Sequence, residues 1–235
     1  MTTIDEIADS IYRISTPVQI PGGGFSFNQY LVVDDEPLLF HTGPRRLFPA
    51  TVEAIGRVMD PPGLRYVGVS HCEADECGAL NEFLDVASSA VAVGSRVAAM
   101  TSLDDMFSRP ARALADGEEL ALGKHTLRWF DTPHLPHGWE CGYMFDSTTG
   151  TLFCGDLFTQ PGDDTPPLTE GDILGPSEAL RAHLDYFSYG KDATRLLDHL
   201  AAARPTTLAC MHGSAWRGDG AKLLRELGAA LFQQA

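Results

Sequence analysis

Basic side chains are scarce in this chain: 17 Lys and Arg stand against 32 Asp and Glu, a formal net charge of -15 over 235 residues. Such a surface repels phosphate backbones and anionic lipids, so neither nucleic acid nor a membrane surface is an expected partner. Long apolar runs are missing too, none approaching the roughly 20 residues a membrane helix needs. The opening MTTIDEIADS is polar and acidic, unlike a secretory n-region, and a cytoplasmic protein is expected. Cysteine offers no framework: positions 72, 77, 141, 154 and 210 form an odd, irregular set without a Cys-x-x-Cys pair, which argues against a disulfide scaffold or a zinc ribbon. Reduced thiols, small and buried at strand ends, are the expectation. No repeat or low-complexity tract occurs, and 44% hydrophobic with 21% charged residues fits one globular domain over 1–235 with a substantial core.

What the chain does contain is alternation of strand and helix signals. Residues 10–20, 28–33 and 37–41 read as an antiparallel opening, broken by the turn-rich PGGG at 21–24 and by DDE at 34–36. Helical spacing runs from Leu47 to Met59, and Pro61-Pro62-Gly63 ends it. A β-branched strand at 64–70, a helix over 78–86, a strand at 90–93 and a helix over 95–107 follow. From about 117 the pattern is β again, with a hairpin connection at 146–150. Helices at 177–187 and 192–203, a strand at 206–212 and a last helix near 217–233 close the chain. Two similar halves of strands with helices outside predict an α/β (α+β) fold of two sheets packed face to face between helical layers.

The run His71-Cys72-Glu73-Ala74-Asp75 places an imidazole and two carboxylates at alternate positions, which on an extended chain point the same way. Such donors suit iron, manganese or zinc. Three further candidates fall where apolar runs end: His137, Asp156 and His212. The six are separated by 61 residues from Asp75 to His137, 18 to Asp156 and 55 to His212.

With these residues in view, the whole chain resembles the metallo-β-lactamase fold, a four-layer αββα sandwich, and its ligand spacing is similar to that of the di-iron domain of flavo-diiron proteins. Zinc hydrolases of the superfamily read His-x-His-x-Asp-His; here Glu73 and Glu76 replace two imidazoles by carboxylates, a substitution that favours iron in a bridged pair. The resemblance implies that His71, Glu73 and His137 hold one iron, Asp75 and His212 the other, and that Asp156 bridges them, with zinc or manganese as substitutes. It implies binding of dioxygen or nitric oxide, as a sensor coupled to a signalling protein or as a reductase drawing on an external flavoprotein or rubredoxin. Family members carry a flavodoxin-like domain after the di-iron domain, and the chain, ending soon after His212, is expected to lack it. A zinc-dependent hydrolase of a thioester, lactone or phosphodiester is the competing reading.

Around the six, several residues have two readings. Glu76 is either an acceptor for a ligand imidazole or a solvated carboxylate at a helix start. His41 stands where many relatives have an aspartate and either bonds a ligand carboxylate or is a buried structural histidine. Tyr186 and Tyr189, expected on a helix, bring a phenol to the open metal positions or are ordinary core aromatics. His134 competes with His137, whose spacing and Gly-Trp context are better. The loop Pro21–Phe25 resembles the hairpin that overhangs the site in this superfamily. His125, His183 and His199 are read as surface or helix-packing residues without function.

Overall fold

A computed structural model describes residues 1–232. Its first sheet contains seven strands in chain order: β1 (Thr3–Ala8), β2 (Ile11–Ile20), β3 (Gly23–Val32), β4 (Leu38–Phe40), β5 (Tyr66–Gly68), β6 (Val91–Ser95) and β7 (Arg112–Leu114). β1 to β4 pair antiparallel, and β4 to β7 are parallel. The second sheet holds β8 (Glu119–Ala121), β9 (Thr126–Asp131), β10 (Gly142–Asp146), β11 (Thr151–Phe153), β12 (Leu168–Thr169), β13 (Thr207–Ala209) and β14 (Ala215–Arg217), in the order β12-β14-β13-β11-β10-β9-β8.

β2 and β3 form the longest pairing, in register from Ile11 opposite Val32 to Ile20 opposite Gly23. Their two-residue connection, Pro21-Gly22, needs left-handed backbone, which Gly22 supplies at φ +108. The glycine-rich segment is thus strand almost to the turn, where side-chain patterning is silent because glycine has none. β1 also escapes the sequence pattern: it is a polar edge strand, paired on one side only.

Three apolar layers separate four layers of structure. Between the sheets lie Tyr30, Phe40, Trp129, Met144 and Phe153. Ile55, Leu80 and Phe83 pack α1 (Phe48–Ile55) and α3 (Leu80–Val86) onto the first sheet. Leu196, Leu200, Leu224 and Leu227 pack the helices Ala193–Ala202 and Gly220–Phe232 onto the second. The architecture is the αββα sandwich expected from the sequence.

Helix ends differ from the sequence reading. The first helix stops at Ile55, and the last begins at Gly220 because 215–217 are taken up by β14. The helix expected over 177–187 spans Leu174–Leu184 and is ended by Asp185 in left-handed conformation, φ 50. Tyr186 and Tyr189 therefore lie beyond a helix end.

Trp129 is the largest side chain fully enclosed between the sheets, and its Nε1 donates to Asp131 Oδ1 at 2.7 Å. A Cβ on Gly142 of the neighbouring strand would fall 2.1 Å from its ring, so glycine is what lets the indole lie flat on β10. Trp129→Ala is expected to cost about 3–5 kcal/mol, read from the shift of the urea unfolding curve.

Candidate metal centre

All six candidate ligands follow strand ends on one rim of the sandwich. His71 comes just after β5, His137 lies in the β9–β10 connection, Asp156 follows β11 and His212 follows β13. The first run is not an extended strand. The chain bends at His71, Glu73 is extended (φ -121, ψ 167), and a helical turn, α2 (Ala74–Cys77), carries Asp75. Cys72 N donates to Glu140 Oε1 at 3.2 Å, which holds the bend. The three donors still converge, through a turn into a helix rather than through strand alternation.

Each imidazole is tethered through Nδ1. His71 Nδ1 meets Ser70 Oγ at 2.9 Å, His137 Nδ1 donates to the Tyr186 carbonyl at 2.8 Å, and His212 Nδ1 donates to the Ser26 carbonyl at 2.8 Å. All three Nε2 atoms consequently face the Asp156 carboxylate. His71 Nε2 and His137 Nε2 lie 3.4 Å from its Oδ2, and His212 Nε2 lies 3.3 Å from its Oδ1. On the Oδ2 side, His137 Nε2 is 3.0 Å from His71 Nε2 and 3.1 Å from Glu73 Oε1. On the Oδ1 side, Asp75 Oδ2 is 3.5 Å from His212 Nε2. The structure thus gathers the six into two clusters sharing one carboxylate. Two nitrogens each about 2.1 Å from one metal stand about 3.0–3.4 Å apart, so the cluster spacing fits a pair of cations.

The electrostatics match. Burial opposes ionisation of Asp156, yet its bond to His212 and the charges of His71, His212 and His137 hold its carboxyl well below the usual carboxylate range. Burial would lower His137, but the Glu73 hydrogen bond and the Asp156 charge outweigh it and push the imidazole up to about 9. His212 is raised in the same way, burial being outweighed by Asp156. Glu73, receiving the His137 hydrogen bond, is lowered.

Several expectations change. Glu76 is neither solvated nor an acceptor for imidazole: it is fully buried, its nearest imidazole nitrogen is His71 Nε2 at 3.8 Å, and burial with the charges of Asp156 and Asp75 pushes its carboxyl well up. His41, in left-handed conformation at φ 66, bonds no carboxylate; its Nε2 meets Ser70 Oγ at 2.9 Å, so it acts on His71 through Ser70. Its own charged form is disfavoured by burial, which lowers it to about 3. Tyr186 is brought to the site, through its carbonyl on His137 and its hydroxyl toward the Asp156 carbonyl at 3.4 Å. Tyr189 is not: its hydroxyl bonds Asp185 and Arg181, away from the rim. His134 is exposed. His125 is not a surface residue; it is buried, 3.1 Å from Asp146 in the β10–β11 hairpin.

The sequence reading missed the residues that aim the ligands. Asn28 Nδ2 donates to the carbonyls of Cys210 (2.9 Å) and Gly213 (2.8 Å), and buried Arg13 donates to Gly213 at 2.7 Å. Polar inward residues on β2 and β3, in strands otherwise apolar toward the core, were the available signal. Phe25 in the hairpin stacks on His212 with ring centroids 4.4 Å apart, in keeping with a hairpin over the site. Gly155, at φ +48, admits Tyr143 where a Cβ would lie 2.8 Å from its ring, and Tyr143 in turn donates to the Leu135 carbonyl beside the His137 turn.

A family model described as the ODP family beta lactamase matches residues 25–213, more than half of the chain. The chain belongs to this family. A putative diflavin flavoprotein A 1 of a Nostoc species is 30% identical over 138 residues, 57% of this chain and 24% of that protein. The rubredoxin-oxygen oxidoreductase of Megalodesulfovibrio gigas is 28% identical over 139 residues, 58% of this chain and 34% of that one. Among solved structures, a metal-soaked Flv1 flavodiiron core from a Synechocystis species superimposes with a TM-score of 0.84 at 23% identity, covering 100% of this chain and 62% of that chain. The fold is that of the metallo-β-lactamase core of flavodiiron proteins. This chain spans about a quarter to a third of the length of the curated relatives just named.

Because His137 is raised from 6.5 to about 9, its pairing stabilises the metal-free fold fully below pH 6.5 and is lost as pH rises through about 9. Melting temperature of the chelator-treated protein is therefore expected to fall across that window, and a flat profile would contradict the assignment. Ser70→Ala, which frees His71 Nδ1, is expected to weaken metal binding about 10- to 100-fold, measured by competition with a chromophoric chelator.

Proposed function

We propose that this family member is a non-haem di-iron protein that binds dioxygen across its metal pair, with nitric oxide as an alternative ligand, and that it reduces the ligand when an external donor such as a rubredoxin or flavoprotein supplies electrons. The 235 residues act in this reading as one di-iron domain. The observation that carries it is the convergence of three Nδ1-tethered imidazoles on the two oxygens of one buried carboxylate. His71, Glu73 and His137 would hold one cation, Asp75 and His212 the other, with Asp156 between them. Metal-bound imidazoles are regularly held by a second bond in this way.

A bound iron pair supplies two adjacent redox-active centres with exchangeable positions. The residues here do the rest. Phe25 lies tilted over His212 and Phe27 meets it edge-on, excluding water from that side, whereas the Glu73 side chain is 53% exposed and leaves the opposite edge open to a small ligand. Iron is favoured over zinc by Glu73, which stands where the hydrolase pattern has histidine. The flavoprotein and rubredoxin-oxygen oxidoreductase relatives support the same class of chemistry.

Anaerobic reconstitution with ferrous iron, elemental analysis and Mössbauer spectroscopy test the proposal. Two irons per chain and an oxygen-dependent optical change are expected, with Asp156→Ala retaining fewer than two. Two zinc ions with no iron, in protein from iron-replete cells, together with hydrolysis of a thioester, lactone or phosphodiester, would replace it with the hydrolase reading. Consumption of oxygen with reduced rubredoxin distinguishes a reductase from a protein that holds the gas and reports to a signalling partner.

A further inference from the structure

We propose that Cys72 and Cys77 form a redox site, in which a hydroperoxide converts the two thiols to a disulfide that locks the turn carrying Glu73 and Asp75. The site itself needs no metal; only its effect on the centre rests on the two-metal reading. The fold brings the two sulfurs together across the bend that begins at His71. After the extended Glu73, α2 turns the chain back, and Cys77 N donates to the Glu73 carbonyl at 3.0 Å and Cys77 Sγ to the same carbonyl at 3.1 Å. The Cys72 and Cys77 side chains hydrogen-bond to each other, and Ser102 bonds that of Cys72.

Both thiols line one cavity of about 290 Å³, bordered by Glu73 and walled on its apolar side by Met106 and Phe107. A water molecule takes up about 30 Å³, so hydrogen peroxide or a small alkyl hydroperoxide has room there. Cys72 is half-buried and Cys77 is buried, which makes Cys72 the sulfur an oxidant reaches and Cys77 the one held in reserve. Proximity alone does not single out this pair. Cys154 Sγ and Cys210 Sγ lie 3.8 Å apart, but both are sealed in the core of the second sheet, away from any oxidant.

The chemistry balances with the hydroperoxide as oxidant. Cys72 sulfur attacks the terminal peroxide oxygen; an S–O bond forms, the O–O bond breaks, and the departing oxygen leaves as alcohol or water with the Cys72 proton. Cys77 sulfur then attacks Cys72 sulfur; the S–S bond forms, the S–O bond breaks, and hydroxide leaves with the Cys77 proton as water. The two thiols lose two electrons and the peroxide gains them. The ring so closed spans residues 72–77 and contains Glu73 and Asp75. Because the thiols already touch, closure removes the freedom of the open turn rather than forcing a new one, and a metal whose release needs that turn to open is held longer.

The test treats purified protein, loaded with redox-inert zinc, with a stoichiometric amount of hydrogen peroxide, followed by thiol counting and peptide mass mapping. Wild type is expected to lose two thiols and the mass of two hydrogen atoms, in a peptide linking Cys72 to Cys77. In Cys77→Ser, Cys72 is expected to gain one oxygen atom that a sulfenic-acid trap captures, and Cys72→Ser should leave Cys77 unmodified. Free Cys72 and Cys77 after treatment, or a link joining Cys154 to Cys210 instead, would overturn the site. Zinc release to a chromophoric chelator is expected to be at least severalfold slower from oxidised than from reduced wild type, with no difference in Cys77→Ser. Equal rates would overturn the locking of the turn. A wild type unable to hold two ions would overturn the two-metal reading and the effect on release, whereas the mass of the linked peptide decides the disulfide in either case.

Discussion

The buried Asp156 carboxylate, faced by three imidazole nitrogens, is the interaction on which the rim of this molecule depends. A lone ionised carboxylate at that depth would be expelled or neutralised; here His71, His137 and His212 favour its charged form, and it favours the charged forms of His137 and His212 in return. The metal-free protein therefore stores, as an ion cluster, the arrangement that cations would occupy. Protons and metals compete for the same nitrogens, which couples loading to pH.

Most of that centre was legible in the chain because ligands of this kind follow strand ends, where an apolar run gives way to a polar residue. His71, His137, Asp156 and His212 each carry that signature, and the structure brings all four together with Glu73 and Asp75. What escaped were partners chosen by three-dimensional proximity. Ser26, Asn28 and the Tyr186 carbonyl have no local pattern, since each meets its imidazole or loop across the fold. One of the two readings of Glu76, a solvated carboxylate at a helix start, fails for a related reason: its neighbours in sequence suggest exposure, whereas in the fold α2 is tied to Thr42 and the side chain is buried.

The fold was legible to a similar depth. Apolar periodicity marked the core strands and the helices that cover them, because burial on one face writes itself into every second or every third to fourth residue. It failed where backbone pairing proceeds without side chains, as at Gly23 and Gly24, and where one face of a strand meets water, as along β1. It also overran at Leu184, since the aromatic residues that follow pack on the second sheet from an irregular segment rather than from a helix.

The six candidate ligands divide evenly between the halves: His71, Glu73 and Asp75 hang from the first sheet, and His137, Asp156 and His212 from the second. Cations shared by these residues would act as a rivet through the seam of the sandwich. Arg13 and Asn28, reaching from the first sheet to the 210–213 loop of the second, are the stitches that hold the seam in alignment before the rivet is set. Sliding of one sheet past the other would then stretch or compress the metal pair, and the chemistry of the centre becomes a gauge of how the two halves of the molecule are seated.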